Sequence, residues 1–164
     1  MDNSTEEKTI ILVSSESIRV PIKLSAAKKS VVICNFINDY PDKELYLKNI
    51  KYSTIIKLKE YLEHLVDHTP EKIQIPLPKK DFKDCITQWD YDFINCDTEE
   101  VLEIMVAANF LDIDSLLDLT SAKIASIIKG KNPEEIRRIL NMENDIDEFE
   151  EIEEQENNDK TLME

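Results

Sequence analysis

His64 and His68 are the two imidazoles of this 164-residue chain, four residues apart with Leu65, Val66 and Asp67 between them. On a helix that spacing brings two rings to one face, where they could share a metal ion as in HExxH proteins. The glutamate of that motif is missing and no third ligand is evident, so the pair reads as two exposed histidines. Cys85 with either histidine would supply a nucleophile and a base, but no orienting group or oxyanion hole accompanies them. The 35 acidic side chains read as solvated faces rather than an acid–base pair. The single glycine, Gly130, excludes a Gly-rich phosphate loop and a dinucleotide fingerprint, each of which needs several. No catalytic, metal-ligating or cofactor-binding residue is assigned, and no enzyme activity is expected.

The residues that remain are suited to contact. Trp89 and Phe93 in Trp89-Asp90-Tyr91-Asp92-Phe93 read as core anchors. Asn109 stands at the end of an apolar stretch beside Phe110. A buried amide there must find partners, whereas an exposed one beside an aromatic ring makes a recognition patch. Both readings stand at this level.

Charge narrows the partners. There are 35 acids and 20 bases, a formal charge of −15. That balance argues against general binding to nucleic acid or to an anionic membrane surface. Residues 143–164 hold eleven of the acids and one base, Lys160, so most of the acidity belongs to the tail. The tail reads either as a solvated terminus or as a segment that orders on a partner. Cys34, Cys85 and Cys96 are odd in number and widely spaced, which suits free thiols in a reducing compartment. No apolar run approaches membrane length, and the start, MDNSTEEK, resembles neither a signal nor a transit peptide. Cytoplasm and nucleus are the expected locations.

The elements that position these groups can be read from local pattern. Thr9-Ile10-Ile11-Leu12-Val13 is β-branched and short, a buried strand. After a Ser-rich turn, Ile18, Val20, Ile22 and Leu24 alternate, predicting the second strand of a hairpin. Pro21 places that strand at an edge. Residues 25–38 suit a helix, with Ser30 as a cap and Ile33, Phe36 and Ile37 on one face. Leu45 and Leu47 mark a short strand. Ile55, Leu58, Leu62, Leu65 and Val66 form a helical stripe with Ser53 as a plausible cap. Residues 69–88 hold Pro70, Pro76 and Pro78 and read as a surface connector.

From Trp89 onward the pattern is helical. Asp97-Thr98-Glu99-Glu100 has a capping-box arrangement, and residues 101–110 are apolar nearly all round, which predicts a helix covered on most sides. Asp112 or Asp114 begins the next helix, and Gly130 suits its end. Asn132-Pro133-Glu134-Glu135 marks another start, with a cap, an N1 proline and two acids in the first turn. Ile136, Ile139 and Leu140 form the face of that helix; a last amphipathic stretch carries Ile146, Phe149 and Ile152. Helices of about two turns are marginal alone. Their apolar residues in an anionic background predict a groove or patch that a partner completes, and a bare groove could also self-associate as a weak homodimer.

Several of these motifs resemble the Skp1 family. They are Ala107-Ala108-Asn109-Phe110-Leu111-Asp112-Ile113 with Leu116-Leu117-Asp118, and Ile128-Lys129-Gly130-Lys131-Asn132-Pro133-Glu134-Glu135-Ile136-Arg137 followed by Asn141, Asn144 and Asp145. Residues 12–16, Ala27-Lys28-Lys29-Ser30-Val31 and Trp89-Asp90 with Phe93 extend the likeness over about residues 9–150. The resemblance implies an α+β fold: a BTB/POZ-like small sheet packed with helices over residues 8–111, with a C-terminal helical extension over 112–156 and an acidic tail over 157–164. It implies a non-enzymatic adaptor of SCF-type cullin–RING ubiquitin ligases, without cofactor. Such an adaptor bridges a cullin and an F-box substrate receptor in ubiquitin-dependent degradation. Asn109 and Phe110 resemble the cullin-facing pair. Leu116, Leu117, Thr120, Ile124, Ile128, Ile136, Ile139, Ile146 and Phe149 resemble the F-box-binding surface. Family members commonly end in a short motif with a Trp; this chain has no Trp beyond Trp89. Phe110 stands where Tyr is common.

Two other readings compete. An elongin-C-like adaptor would stop near residues 111–112, whereas helical pattern here continues past 128. An acidic chaperone-like binder of basic proteins would use the tail, and salt would weaken its binding strongly.

Overall fold

The computed structural model describes residues 8–78 and 81–142. The β-branched opening run forms β1 (Thr9–Val13), and Leu12 is fully buried. The chain reverses through Ser17, which takes a left-handed φ of 64°. The Ser14 hydroxyl steadies that turn by accepting from the backbone N–H groups of Glu16 and Ile18, both at 3.2 Å. The chain returns as β2 (Arg19–Lys23), antiparallel to β1 with Pro21 opposite Ile11. Val20 and Ile22 point inward and their neighbours outward, the two-residue period of a half-buried strand. β3 (Leu45–Tyr46) pairs parallel with β1, giving the order β2-β1-β3. Pro21 therefore sits on an edge strand, where its missing N–H breaks no ladder.

Residues 25–38 do not form one helix. They divide into α1 (Leu24–Ala27) and α2 (Val31–Asp39), because Ser30 between them is extended and caps α2. Its Oγ accepts from the Ile33 N–H at 3.1 Å and donates to the Leu111 carbonyl at 2.5 Å. α3 (Tyr52–Asp67) buries Ile55, Leu58, Leu62 and Leu65 as its stripe requires, and it packs against α1 and against the later helix Thr98–Phe110. Val66 turns off the stripe and is exposed. Ser53 is not the cap; Lys51 is, without a side-chain bond. Glu16 takes over one first-turn donor instead, its carboxylate accepting from Tyr52 N–H at 2.9 Å. That carboxyl is held below its usual range, first by the Ser14 hydroxyl.

Among the described residues of the connector, Phe82–Asp84 form a 3₁₀ turn, and Ile73, Phe82 and Ile86 lean on the core. Gln88, expected in the connector, is already helical: α4 (Gln88–Phe93) is capped by Thr87. Phe93 is buried and Trp89 packs beside it against Tyr61, so both anchor the connector as expected.

α5 (Thr98–Phe110) is capped by Asp97, which accepts from Glu100 N–H at 2.8 Å. It buries Val101, Ile104, Ala107 and Ala108. The expectation of a helix covered on most sides is corrected, because Val106 is 65% exposed and Phe110 59%. Asp112 ends α5 in the left-handed region at φ 52°. Its N–H bonds the Asn109 carbonyl, and Ile113 N–H reaches the Ala108 carbonyl at 2.9 Å, a Schellman closure. Asp takes the place usually held by Gly, and buried Ile113 supplies the apolar contact after it. α6 (Asp114–Ile128) begins at Asp114.

The first compact unit runs through Ile127, so nearly all of α6 belongs to it. The second begins at Ile128, and its described part is Gly130, in the left-handed region at φ 75°, and α7 (Pro133–Ile139). α7 is closed at both ends. Asn132 and Glu135 form a reciprocal capping box at 2.9 and 3.0 Å. Asn141 takes φ 51°, and Met142 N–H bonds the Arg137 carbonyl. Such caps let a seven-residue helix form that would be marginal alone. Ile146, Phe149, Ile152 and the acidic tail lie outside the described residues.

Candidate protein-interaction surfaces

Apolar residues on α5 repeat on two faces. Val101, Ile104, Ala108 and Leu111 take the core side. Leu102, Val106 and Phe110, spaced i, i+4 and i+8, form a second stripe that rises from half-buried to exposed. Contiguous exposed apolar surface of this kind marks docking sites in soluble proteins. The stripe is one wall of a groove of about 650 Å³ in the first unit. The facing wall is the segment from β3 into α3, with Tyr46, Lys48 and Lys51. Leu47, Ile50 and Ala107, all buried, form the floor.

Phe110 lines this groove, while Asn109 is exposed on the same helix outside its lining. The open question about Asn109 is thereby decided: its amide is a surface group beside an exposed ring. Val106 and Tyr46, 60% exposed, were not singled out from sequence. A helix apolar all round hides which face is spare. The adjacent small residues Ala107 and Ala108 were the available sign of the packed side.

One ion pair crosses the groove. Lys51 Nζ donates to Glu103 Oε1, and Thr54 Oγ1 donates to Glu103 Oε2 at 3.3 Å. The hydrogen bond to Glu103, helped by its charge, raises the Lys51 ammonium above its usual range. The pair links α5 to the residue that precedes α3.

The residues expected to hold an F-box fall in different places. Leu116 and Thr120 are fully buried, so they face the core rather than solvent. Thr120 Oγ1 donates to the carbonyls of Leu116 and Leu117 at 2.9 and 3.0 Å. Leu117 and Ile124 are half-buried against the core of the first unit. In the second unit Ile128, Ile136 and Ile139 are half-buried, and no residue of α7 is fully buried. Ile146 and Phe149 lie outside the described residues.

The histidines do not converge on a common point. Their rings lie face to face, centroids 4.1 Å apart, and His64 stacks on Trp89 at 3.5 Å. Burial, then the neighbouring His68, lowers the His64 imidazole below its usual range. Among the described residues no cluster of three or more His, Cys, Asp or Glu could hold a metal ion. Burial also raises the Cys96 thiol, the opposite of what an activated nucleophile needs. No helix of the described residues is long and apolar enough to cross a membrane.

Residues 114–161 match the family model for the Skp1 family dimerisation domain. Over 160 residues the chain is 36% identical to the S-phase kinase-associated protein 1 homolog of Tetrahymena thermophila, covering 96% of this chain and 95% of that protein. It is 35% identical to the E3 ubiquitin ligase complex SCF subunit sconC of Arthroderma benhamiae, covering 87% and 88% of the two chains. With the sconC of Talaromyces marneffei the identity is 33%, over 83% and 86%.

Proposed function

Because this chain belongs to the Skp1 family, we infer that it is an adaptor subunit of an SCF-type ubiquitin ligase, with a cullin and F-box receptors as its partners. The names of its relatives, an S-phase kinase-associated protein 1 homolog and SCF subunits, support the adaptor role. The observation that carries the cullin surface is the spare face of α5. Val106 and Phe110 are exposed on the wall of a groove whose floor is apolar, and Asn109 is exposed beside them on the same capped helix. Rigid exposed anchors of this kind carry most of the energy in protein interfaces. For the F-box reading, Leu117 and Ile124 in the first unit keep part of their apolar area accessible, and so, in the second unit, do Ile128, Ile136 and Ile139. The work of such an adaptor is geometric. One surface takes the cullin and another the receptor, and no bond is made or broken on this chain.

Capture by the full-length protein of a cullin N-terminal region and of an F-box segment tests both surfaces. Asn109→Lys, at an exposed position, is expected to weaken cullin capture at least about tenfold with unchanged circular dichroism. Ile128→Asp or Ile139→Asp should impair F-box capture and spare the cullin. Normal cullin capture by Asn109→Lys refutes the site.

A further inference from the structure

We propose that the column of rings formed by Trp89, His64 and His68 is a pH-sensitive latch on the connector. With at most one imidazole charged, the column holds the end of α3 against α4 and the two ends of the connector. A second proton parts the imidazoles and frees residues 69–73. None of the three rings lines the α5 groove, so the latch stands apart from the cullin reading.

Geometry is the first observation. The chain has two histidines and one tryptophan, and the three stand together. His64 lies on the Trp89 indole with the ring planes 5° apart, and His68 lies on His64 with the planes 9° apart. The inner imidazole is therefore sandwiched. The column borders a hollow of about 480 Å³, which Thr69, Pro70 and Glu71 line from the start of the connector and Thr87 from its end. A change in the column reaches both ends of the connector at once. Residues 69–72 are exposed, so the outer ring is free to leave with the chain that follows it.

Charge is the second observation. One proton suits the site. The His68 ring is exposed, and its Nδ1–H donates to the His64 carbonyl at 3.2 Å, at the C-terminal end of α3 where a cation is favoured. His68 shares a neighbouring hollow with Lys29, Asp67, Asp112 and Asp114. Glu71 and Asp90 border the first hollow, where Thr87 Oγ1 donates to Asp90 at 2.7 Å. On α3 itself, Glu60 is paired with Lys57. Carboxylates thus outnumber cations around the column. A second proton does not suit it. Two like charges would then sit on rings 4.1 Å apart, one of them enclosed between an indole and an imidazole. Burial and His68 already hold His64 below its usual range, against the pull of Asp90 and Asp67.

Hydrogen–deuterium exchange of the full chain at about pH 7.5 and about pH 5.5 tests this, corrected for the intrinsic exchange rate, with Trp89 emission read alongside. Amides of residues 69–73 are expected to exchange at least about tenfold faster at the lower pH, and the emission to shift to the red. β1, β2 and α5 should keep their rates. His68→Gln and His64→Gln each leave one imidazole, and in both the acceleration should fall below about threefold. His68 is exposed, so its variant should fold, and circular dichroism at the higher pH checks both. Parent-like acceleration in either variant overturns the pairing of charges. Acceleration spread over β1, β2 and α5 is global loss of stability and overturns a local latch. So does a parent chain whose residues 69–73 exchange equally fast at the two pH values.

Discussion

Ser30→Ala is the substitution whose cost follows most directly from geometry. Ser30 is fully buried, and its hydroxyl serves two elements at once. It accepts from Ile33 N–H at 3.1 Å to start α2, and donates to the Leu111 carbonyl at 2.5 Å, one residue beyond the end of α5. Losing an N-cap costs about 1 kcal/mol. Leaving a buried carbonyl without its donor costs about 1–3 kcal/mol more. The expected destabilisation is therefore about 2–4 kcal/mol, a large fraction of the roughly 5–15 kcal/mol that holds a domain together. With a urea slope of about 1–3 kcal/mol per molar, the midpoint should fall by about 1–2 M without a change in slope. Ser126→Ala is the comparison. That half-buried hydroxyl donates within its own helix, to the Lys123 carbonyl, and its loss should shift stability by less than about 0.5 kcal/mol. Urea melts of full-length Ser30→Ala, Ser126→Ala and parent chains decide the matter. A Ser30→Ala midpoint within about 0.3 M of the parent would show that the bridge carries no net stability. Since Phe110 precedes Leu111, the same variant should also loosen the exposed end of α5.

Two further expectations concern titration. Burial pushes the Tyr61 phenol up to about 12, opposed by a hydrogen bond with Ser115. Of the five tyrosines, one should stay protonated in the folded chain beyond the ordinary range near 10. Unfolding would then be promoted as pH rises above that range, because only the unfolded phenol gives up its proton there. Absorbance titration near 295 nm reads this, and five equivalent tyrosines would contradict it. His64 moves the other way, held below its unfolded value by burial and by His68. Its neutral form favours the fold above the unfolded value, and stability falls as pH drops below about 6.5. His64→Gln should lose less stability than the parent between pH 7 and pH 5.5 in paired urea melts. Equal losses in the two chains would mean that His64 takes up its proton equally readily in the folded and unfolded states.

Much of the chain was legible locally, for reasons visible in single residues. β1 and β2 follow from β-branching and alternation, and Pro21 announced an edge because a missing donor allows nothing else. The stripe of α3 and the start of α7 follow from period and capping chemistry, which act within a few residues. The motifs around Asn109 and Asn132 were enough to indicate the family. What depended on distant chain was not legible. Ser53 looked like a cap, but Glu16, 36 residues before Tyr52, meets the first-turn donor. Residues 25–38 looked like one helix, but Ser30 breaks it to reach Leu111, 81 residues away. Asp112 and Asn141 take left-handed turns that sequence reserves for glycine. On α5 every face was apolar, so period alone named no inside. Only the packing of α3 against one flank left Val106 and Phe110 in water and made a groove with Tyr46. Sequence carries the chemistry of each face, but which face stays uncovered depends on what the rest of the chain brings against it.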